Sequence, residues 1–167
     1  MYEIAADMEI FQGEARNSRF LYPGMLCVHG GQHAVTTVLG SCVAVCLWDG
    51  LAGAGGINHY LLPLWNGEGL PTPRYGNVAI SMLVERLLQM GCLKANLKAK
   101  IFGGANMIGG FLNVGERNIV LAESALSENG IKIVSRDTGG TTGRKIMFLT
   151  ASGDVYVKKF TKAQETG

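Results

Sequence analysis

Two stretches, LGSCVAVCLWD (39–49) and AGAGGINHYLLP (52–63), decide how this chain folds. The first is apolar and β-prone from Cys42 to Trp48, opened by Gly40-Ser41 and closed by Asp49-Gly50; the second runs back through Ile57 and His59 to a stop at Pro63. Together they read as the arms of a β-hairpin. With the turn centred on Gly50-Leu51, residues whose numbers sum to 101 face each other, and Cys42 and His59 are such a pair. A four-residue loop from Asp49 to Ala52 keeps that register, whereas a one-residue slip would send the partners to opposite faces. Directly opposed side chains have Cβ atoms about 4.5–5.5 Å apart on one face. An imidazole is thereby placed within reach of a thiol, the arrangement that nucleophilic cysteine chemistry requires.

Working outward, the 167 residues suit one domain with a real core that needs neither disulfide nor metal to hold it. Charged residues make up 17% and glycines number 24, which fits many short strands better than a helical bundle. A net charge of +2, with Lys158, Lys159 and Lys162 as the one basic cluster, argues against a nucleic-acid partner. The N-terminus lacks the basic start and apolar run of a signal peptide, and no stretch approaches the roughly 18 apolar residues of a membrane span. The expectation is a cytoplasmic protein without direct membrane insertion, its four cysteines reduced. On a strand, Cys42 and Cys46 lie about 13 Å apart, too far for a disulfide or a shared metal. Cys27 and Cys92 read as small buried hydrophobes.

Residues 1–19 read as a poorly constrained lead-in with an early strand around Met8 to Phe11, and 20–167 as a single domain. FLYPGMLCVHG reads as a strand interrupted by Pro23-Gly24, HAVTTVLG as another, and WNGEGLPTPRY as a punctuated loop. Ile80, Leu83, Val84, Leu87 and Leu88 recur at helical spacing, with Asn77 placed to cap the start and Gly91 to end the helix. A second helix spans about Asn118 to Glu128. AKIFGG and IKIVSRD read as strands, DTGGTTGRK as a glycine loop, and KIMFLTASGDVYVKKF as a hairpin turning at Ser152-Gly153. The fold class is therefore α/β, β-rich, with helices packed on one face of the sheet layer.

Gly40-Ser41 sets Cys42 at a turn-to-strand junction, where backbone N–H groups near Ser41 and Cys42 can serve an oxyanion, and a neighbouring imidazole would lower the thiol pKa. Asn58 points to the opposite face of its strand from His59, so the group that orients the imidazole must come from elsewhere; Thr36 is a candidate, with Thr37 and Ser41 also open. His29 and His33 have a spacing that suits a metal on a helix, but HGGQH is a glycine turn. DTGGTTGRK lacks the phosphate-loop spacing and its strand-loop-helix context, which leaves Arg144 as a substrate or partner contact.

With these residues in hand, the chain resembles the chemoreceptor glutamine deamidase (CheD) family. TTVLGSCVAVCLWD and GGINHYLLP carry most of the likeness, followed by RYGNVAISMLVERLLQMG, KIFGGANM, NVGERNI and DTGGTTGRK. By position, the resemblance implies Cys42 as nucleophile, His59 as general base and Thr36 as the threonine supporting the histidine. It further implies an α/β/β layered sandwich and no cofactor. The implied substrates are glutamine side chains in the cytoplasmic region of methyl-accepting chemotaxis receptors, converted to glutamate with loss of ammonia. It also implies a CheC-type phosphatase of the response regulator as a partner of some members. The loop Trp65 to Arg74 and the glycine loops near Ala105 and Thr141 are the expected contacts, and a monomer is the expected unbound state. A Cys/His zinc hydrolase, and a binding module that regulates the phosphatase, are the competing readings.

Overall fold

The computed structural model describes residues 17–109 and 113–161. The expected strand at Met8 to Phe11 and the side chain of Lys162 lie outside them. Among these described residues, nine strands and two α-helices follow in the order β1 (Ser18–Phe20), β2 (Leu26–Gly30), β3 (Ala34–Leu39), β4 (Val43–Asp49), β5 (Ala54–Asn58), α1 (Gly76–Gln89), β6 (Leu97–Gly103), α2 (Val114–Glu128), β7 (Lys132–Thr138), β8 (Arg144–Leu149) and β9 (Val155–Lys159), with a 3-10 turn at Lys94–Asn96. A five-stranded sheet has the order β2-β5-β4-β6-β7, antiparallel except for the parallel β6/β7 pair. A four-stranded sheet has the order β1-β3-β8-β9, with β1 and β3 parallel. The helices cover one face of the five-stranded sheet and the four-stranded sheet covers the other, giving three layers.

This layering explains the unbroken apolar run in the first quoted stretch. A strand covered on both faces has no polar side to show, so β4 is buried at all seven positions. Val43, Val45 and Leu47 pack toward the helices, while Ala44, Cys46 and Trp48 pack toward the second sheet. The glycines of β5 have a matching cause. A Cβ on Gly55 would lie 2.3 Å from the Thr150 carbonyl oxygen in the facing layer, and one on Gly56 would lie 2.7 Å from Leu83 Cδ1 of α1. Both neighbouring layers thus approach the backbone of β5 more closely than any side chain permits.

The hairpin is present, but its register differs from the sequence expectation. Asp49 pairs with Ala54 and Cys46 with Ile57, so the loop is 50–53 and paired numbers sum to 103. The Asp49 carboxylate accepts the Leu51 and Ala52 N–H groups and makes this longer turn. The displacement is two residues. Since side chains alternate with period two, Cys42 and His59 keep a common face but become diagonal neighbours, about 7–8 Å apart at Cα, rather than directly opposed.

Helix α1 buries Ile80, Leu83, Val84 and Leu87 as the spacing requires, and Gly91 ends it with φ +99°. Asn77 does not cap it. The helix begins at Gly76, and the Asn77 carboxamide oxygen instead accepts the Trp65 N–H, tying the 65–74 loop to the helix start. Helix α2 begins four residues earlier than expected, at Val114, capped by the Asn113 side chain on the Glu116 N–H. Gly115 hides this first turn from a sequence reading. A Cβ there would sit 2.5 Å from the carbonyl oxygens of Gly104 and Ala105, so close packing against the β6 exit excludes a better helix former.

Candidate active site

Cys42 occupies the short link between β3 and β4. Its carbonyl accepts the Gly104 N–H at 2.9 Å, and the Gly40 carbonyl accepts the Ala105 N–H at 3.0 Å, so this turn is laced to the exit of β6. Val43 and Tyr60 exchange two backbone hydrogen bonds, which sets the residues preceding them, Cys42 and His59, on the side facing the second sheet. Between that pair and the regular ladder, the Asn58 carboxamide oxygen accepts the Val45 N–H in place of a main-chain carbonyl. The half-buried Cys42 opens on a cavity of about 600 Å³ walled by Gly40, Ser41, Met107, Ile108 and Gly115. Ile108 is fully exposed at its rim.

His59 is 1% exposed and lies between the sheets. Its Nδ1 is 2.7 Å from the hydroxyl of Thr37, and that hydroxyl donates to the Leu21 carbonyl, also at 2.7 Å. A hydroxyl has one proton to give. With that proton committed to Leu21, the threonine oxygen accepts from Nδ1–H, so the imidazole proton resides on Nδ1 and Nε2 carries the basic lone pair. The chain at His59 is itself held by its N–H to the Met25 carbonyl and by its carbonyl from the Gly24 N–H.

The orienting threonine is therefore Thr37, not Thr36. Thr37 shares the inward face of β3 with Val35 and Leu39, which pack in the core between the sheets. Thr36 projects from the opposite face, opposite Met147 in the ladder, and its buried Oγ1 has no hydrogen-bond partner. Strand alternation thus sets Thr36, the position the resemblance names, on the face of β3 away from the His59 imidazole.

The electrostatics also depart from expectation. Burial raises the Cys42 thiol above its ordinary value, opposed only by its own backbone N–H. Burial pulls His59 down to about 4. At neutral pH the pair rests as thiol and neutral imidazole, not as the thiolate the sequence reading anticipated. His29 is likewise lowered to about 4, by burial, by the facing His33 and by Arg19. Both histidines bind protons more weakly folded than unfolded, so their contribution is complete above about pH 6.5 and is lost as pH falls toward 4. Urea midpoints measured from pH 7 to pH 4 are expected to fall throughout that window; a flat profile would contradict the buried neutral state.

Among the remaining candidates, Ser41 is half-buried, and its carbonyl accepts from the Asn118 carboxamide at 3.0 Å. Arg144 is not a surface contact. It is 2% exposed, pairs with the Asp137 carboxylate at 2.5 Å, and also donates to the Gly139 carbonyl, clamping the glycine loop. That loop meets the other expected contact through the Asn106 N–H on the Gly140 carbonyl. His29 and His33 stack face to face, centroids 4.1 Å apart at 14°. Among the described residues, no three His, Cys, Asp or Glu side chains are grouped as metal ligands, and no helix is long and apolar enough to cross a membrane.

Asn118 was missed as a site residue. Its signal was a polar side chain inside the buried stripe Gly115, Asn118, Ala122, Leu126 of α2. It is fully buried, and its Nδ2 donates to the carbonyls of both Ser41 and Leu61.

These features define a β-rich, three-layered α/β/β protein in which a cysteine at a strand junction and a histidine of fixed tautomer share the face between two sheets. The family model described as CheD chemotactic sensory transduction matches residues 61–159, beyond both Cys42 and His59. The chain belongs to the CheD family. A "Probable chemoreceptor glutamine deamidase CheD" of Trichlorobacter lovleyi is 52% identical over 83% of this chain and 88% of its own length. One of the same description from Sulfurimonas denitrificans is 48% identical over 87% of this chain and 96% of its own. "Probable chemoreceptor glutamine deamidase CheD 1" of Anaeromyxobacter dehalogenans is 43% identical over 88% and 87%.

Proposed function

We propose that this protein is a cytoplasmic glutamine deamidase of chemotaxis receptors, with Cys42 as nucleophile and His59 as base. One observation carries the reading: the Leu21–Thr37–His59 hydrogen-bond chain leaves Nε2 as the free basic nitrogen of an imidazole on the same face as a cavity-lining thiol. The relatives' printed descriptions supply the substrate.

Because both groups rest neutral, Nε2 takes the thiol proton as sulfur attacks the carboxamide carbon. Backbone N–H groups at Ser41 and Cys42 meet the developing oxyanion. The imidazolium then returns its proton to the departing nitrogen, ammonia leaves, and a Cys42 thioester remains. His59 next removes a proton from water as the water attacks the thioester. Glutamate is released and the thiol regains its proton. Lowered to about 4, His59 stays unprotonated, with its Nε2 lone pair available, well below the ordinary histidine range.

A receptor helix offers an apolar flank beside its glutamine, and the rim matches it with Ile108, fully exposed, and Met107, 43% exposed. A second cavity of about 470 Å³, lined by Pro63, Leu64, Glu116 and Val120, touches the same first turns of α2. The test is incubation of a receptor cytoplasmic fragment with the purified protein, followed by peptide mass spectrometry and an ammonia assay. Conversion of discrete glutamines to glutamate with equimolar ammonia is expected. An unchanged fragment would overturn the assignment.

A further inference from the structure

We propose that Asn118 is a positioning residue for this reaction, aiming the Cys42 N–H at the oxyanion; the inference rests on Cys42 being the nucleophile. The Ser41 carbonyl and the Cys42 N–H belong to one trans peptide unit and point in opposite directions. Asn118 Nδ2 holds that carbonyl at 3.0 Å from the side of α2. The N–H is thereby turned to the other side, where it meets the sulfur of Cys42 itself. An oxyanion formed on a carbon bonded to that sulfur lies next to the same N–H.

The second proton of Asn118 Nδ2 goes to the Leu61 carbonyl at 3.0 Å, two residues past His59. One carboxamide therefore ties the residue before the nucleophile to the chain just after the base. Tyr60 anchors it in turn, its hydroxyl donating to the Asn118 main-chain carbonyl at 2.5 Å. Two carbonyl partners need two donors on one neutral atom, which only an amide supplies among side chains of this size. The same orientation leaves Asn118 Oδ1 buried without a partner. A residue selected for helix stability alone would have no reason to leave that acceptor unmatched.

The test compares wild type, Asn118→Ala, Tyr60→Phe and Asn129→Ala in receptor-fragment deamidation and in alkylation of Cys42 by iodoacetamide. Alkylation reports thiol access and ionisation but forms no oxyanion. In Asn118→Ala, kcat is expected to fall at least about tenfold with KM within about twofold of wild type, and alkylation, which feels the same N–H only through the thiol, is expected to fall by a clearly smaller factor. Tyr60→Phe is expected to lose a smaller factor in kcat alone. Asn129→Ala, which removes a side-chain bond to the Ala125 carbonyl at the far end of α2, is expected to lower thermal stability and leave kcat unchanged.

Wild-type kcat in folded Asn118→Ala, or a fall in alkylation as large as the fall in kcat, would overturn the proposal. So would an equal kcat loss in Asn129→Ala, which would indicate general loosening of α2. Should Asn118→Ala not fold, wild-type kcat in Tyr60→Phe overturns it instead. A Cys42→Ala arm separates the two claims: retained conversion there defeats the assignment of the nucleophile, whereas an inactive Cys42→Ala beside a fully active Asn118→Ala defeats only the positioning role.

Discussion

Replacing His59 with glutamine is expected to lower the deamidation rate constant by about 10³- to 10⁴-fold, because no other base is positioned to take the thiol proton. Glutamine fills much of the same volume and can still meet the Thr37 hydroxyl, so the fold should persist. Steady-state kinetics at pH 7 check the rate, and urea unfolding at pH 7 and pH 5 checks the physical cause. The stability of His59→Gln should depend less on pH than that of wild type, since one of the two histidines whose proton affinity the fold lowers is gone. A variant within tenfold of wild-type activity would remove His59 from the mechanism.

The second large effect sets two adjacent threonines against each other. Thr37→Val removes the acceptor of Nδ1–H, freeing the imidazole to take the other tautomer with its proton on Nε2, where it cannot act as a base. A loss of about 10²-fold or more in kcat is expected, with Cys42 still open to alkylation. Thr36→Val should leave kcat unchanged and raise stability by up to about 1 kcal/mol, because it deletes a buried hydroxyl that has no partner. The opposite ranking would restore Thr36 to the role its place in the chain implies. Circular dichroism of both variants excludes a trivial loss of fold.

The contrast shows what the sequence could carry. Periodicity revealed the hairpin, the helix over Ile80 to Leu87 and the hairpin at Gly153, because each is a local repeat closed by a turn residue. It could not fix the loop length, since the Asp49 carboxylate stabilises a turn two residues longer than the shortest one available. Cys42 and His59 share a face in either register because the two registers differ by an even number of residues. The choice between Thr36 and Thr37 depends on which face of β3 packs between the two sheets, and both threonines are polar and buried, so polarity along the strand gives no clue. The resting ionisation was illegible for a related reason. A thiol beside an imidazole suggests a thiolate until the packing of both between two sheets is known, and burial then outweighs proximity.

Arg144 makes the same point from the charged side. Its place after a glycine loop suggested a ligand contact, while the fold uses it to bind Asp137 and the Gly139 carbonyl. Asn118, within NVGERNI, shows in the sequence only as a polar residue in an apolar stripe, since it is the packing of α2 against the 40–42 turn that gives its amide two carbonyls to hold.

The most direct test of the central claim, that one thiol performs the chemistry, compares wild type with Cys42→Ala on a receptor cytoplasmic fragment under single-turnover conditions, with Gln-to-Glu conversion read by peptide mass spectrometry. The account predicts discrete conversion by wild type and at least about a 10³-fold slower rate for Cys42→Ala at equal folded concentration. Equal conversion by the two proteins would contradict it.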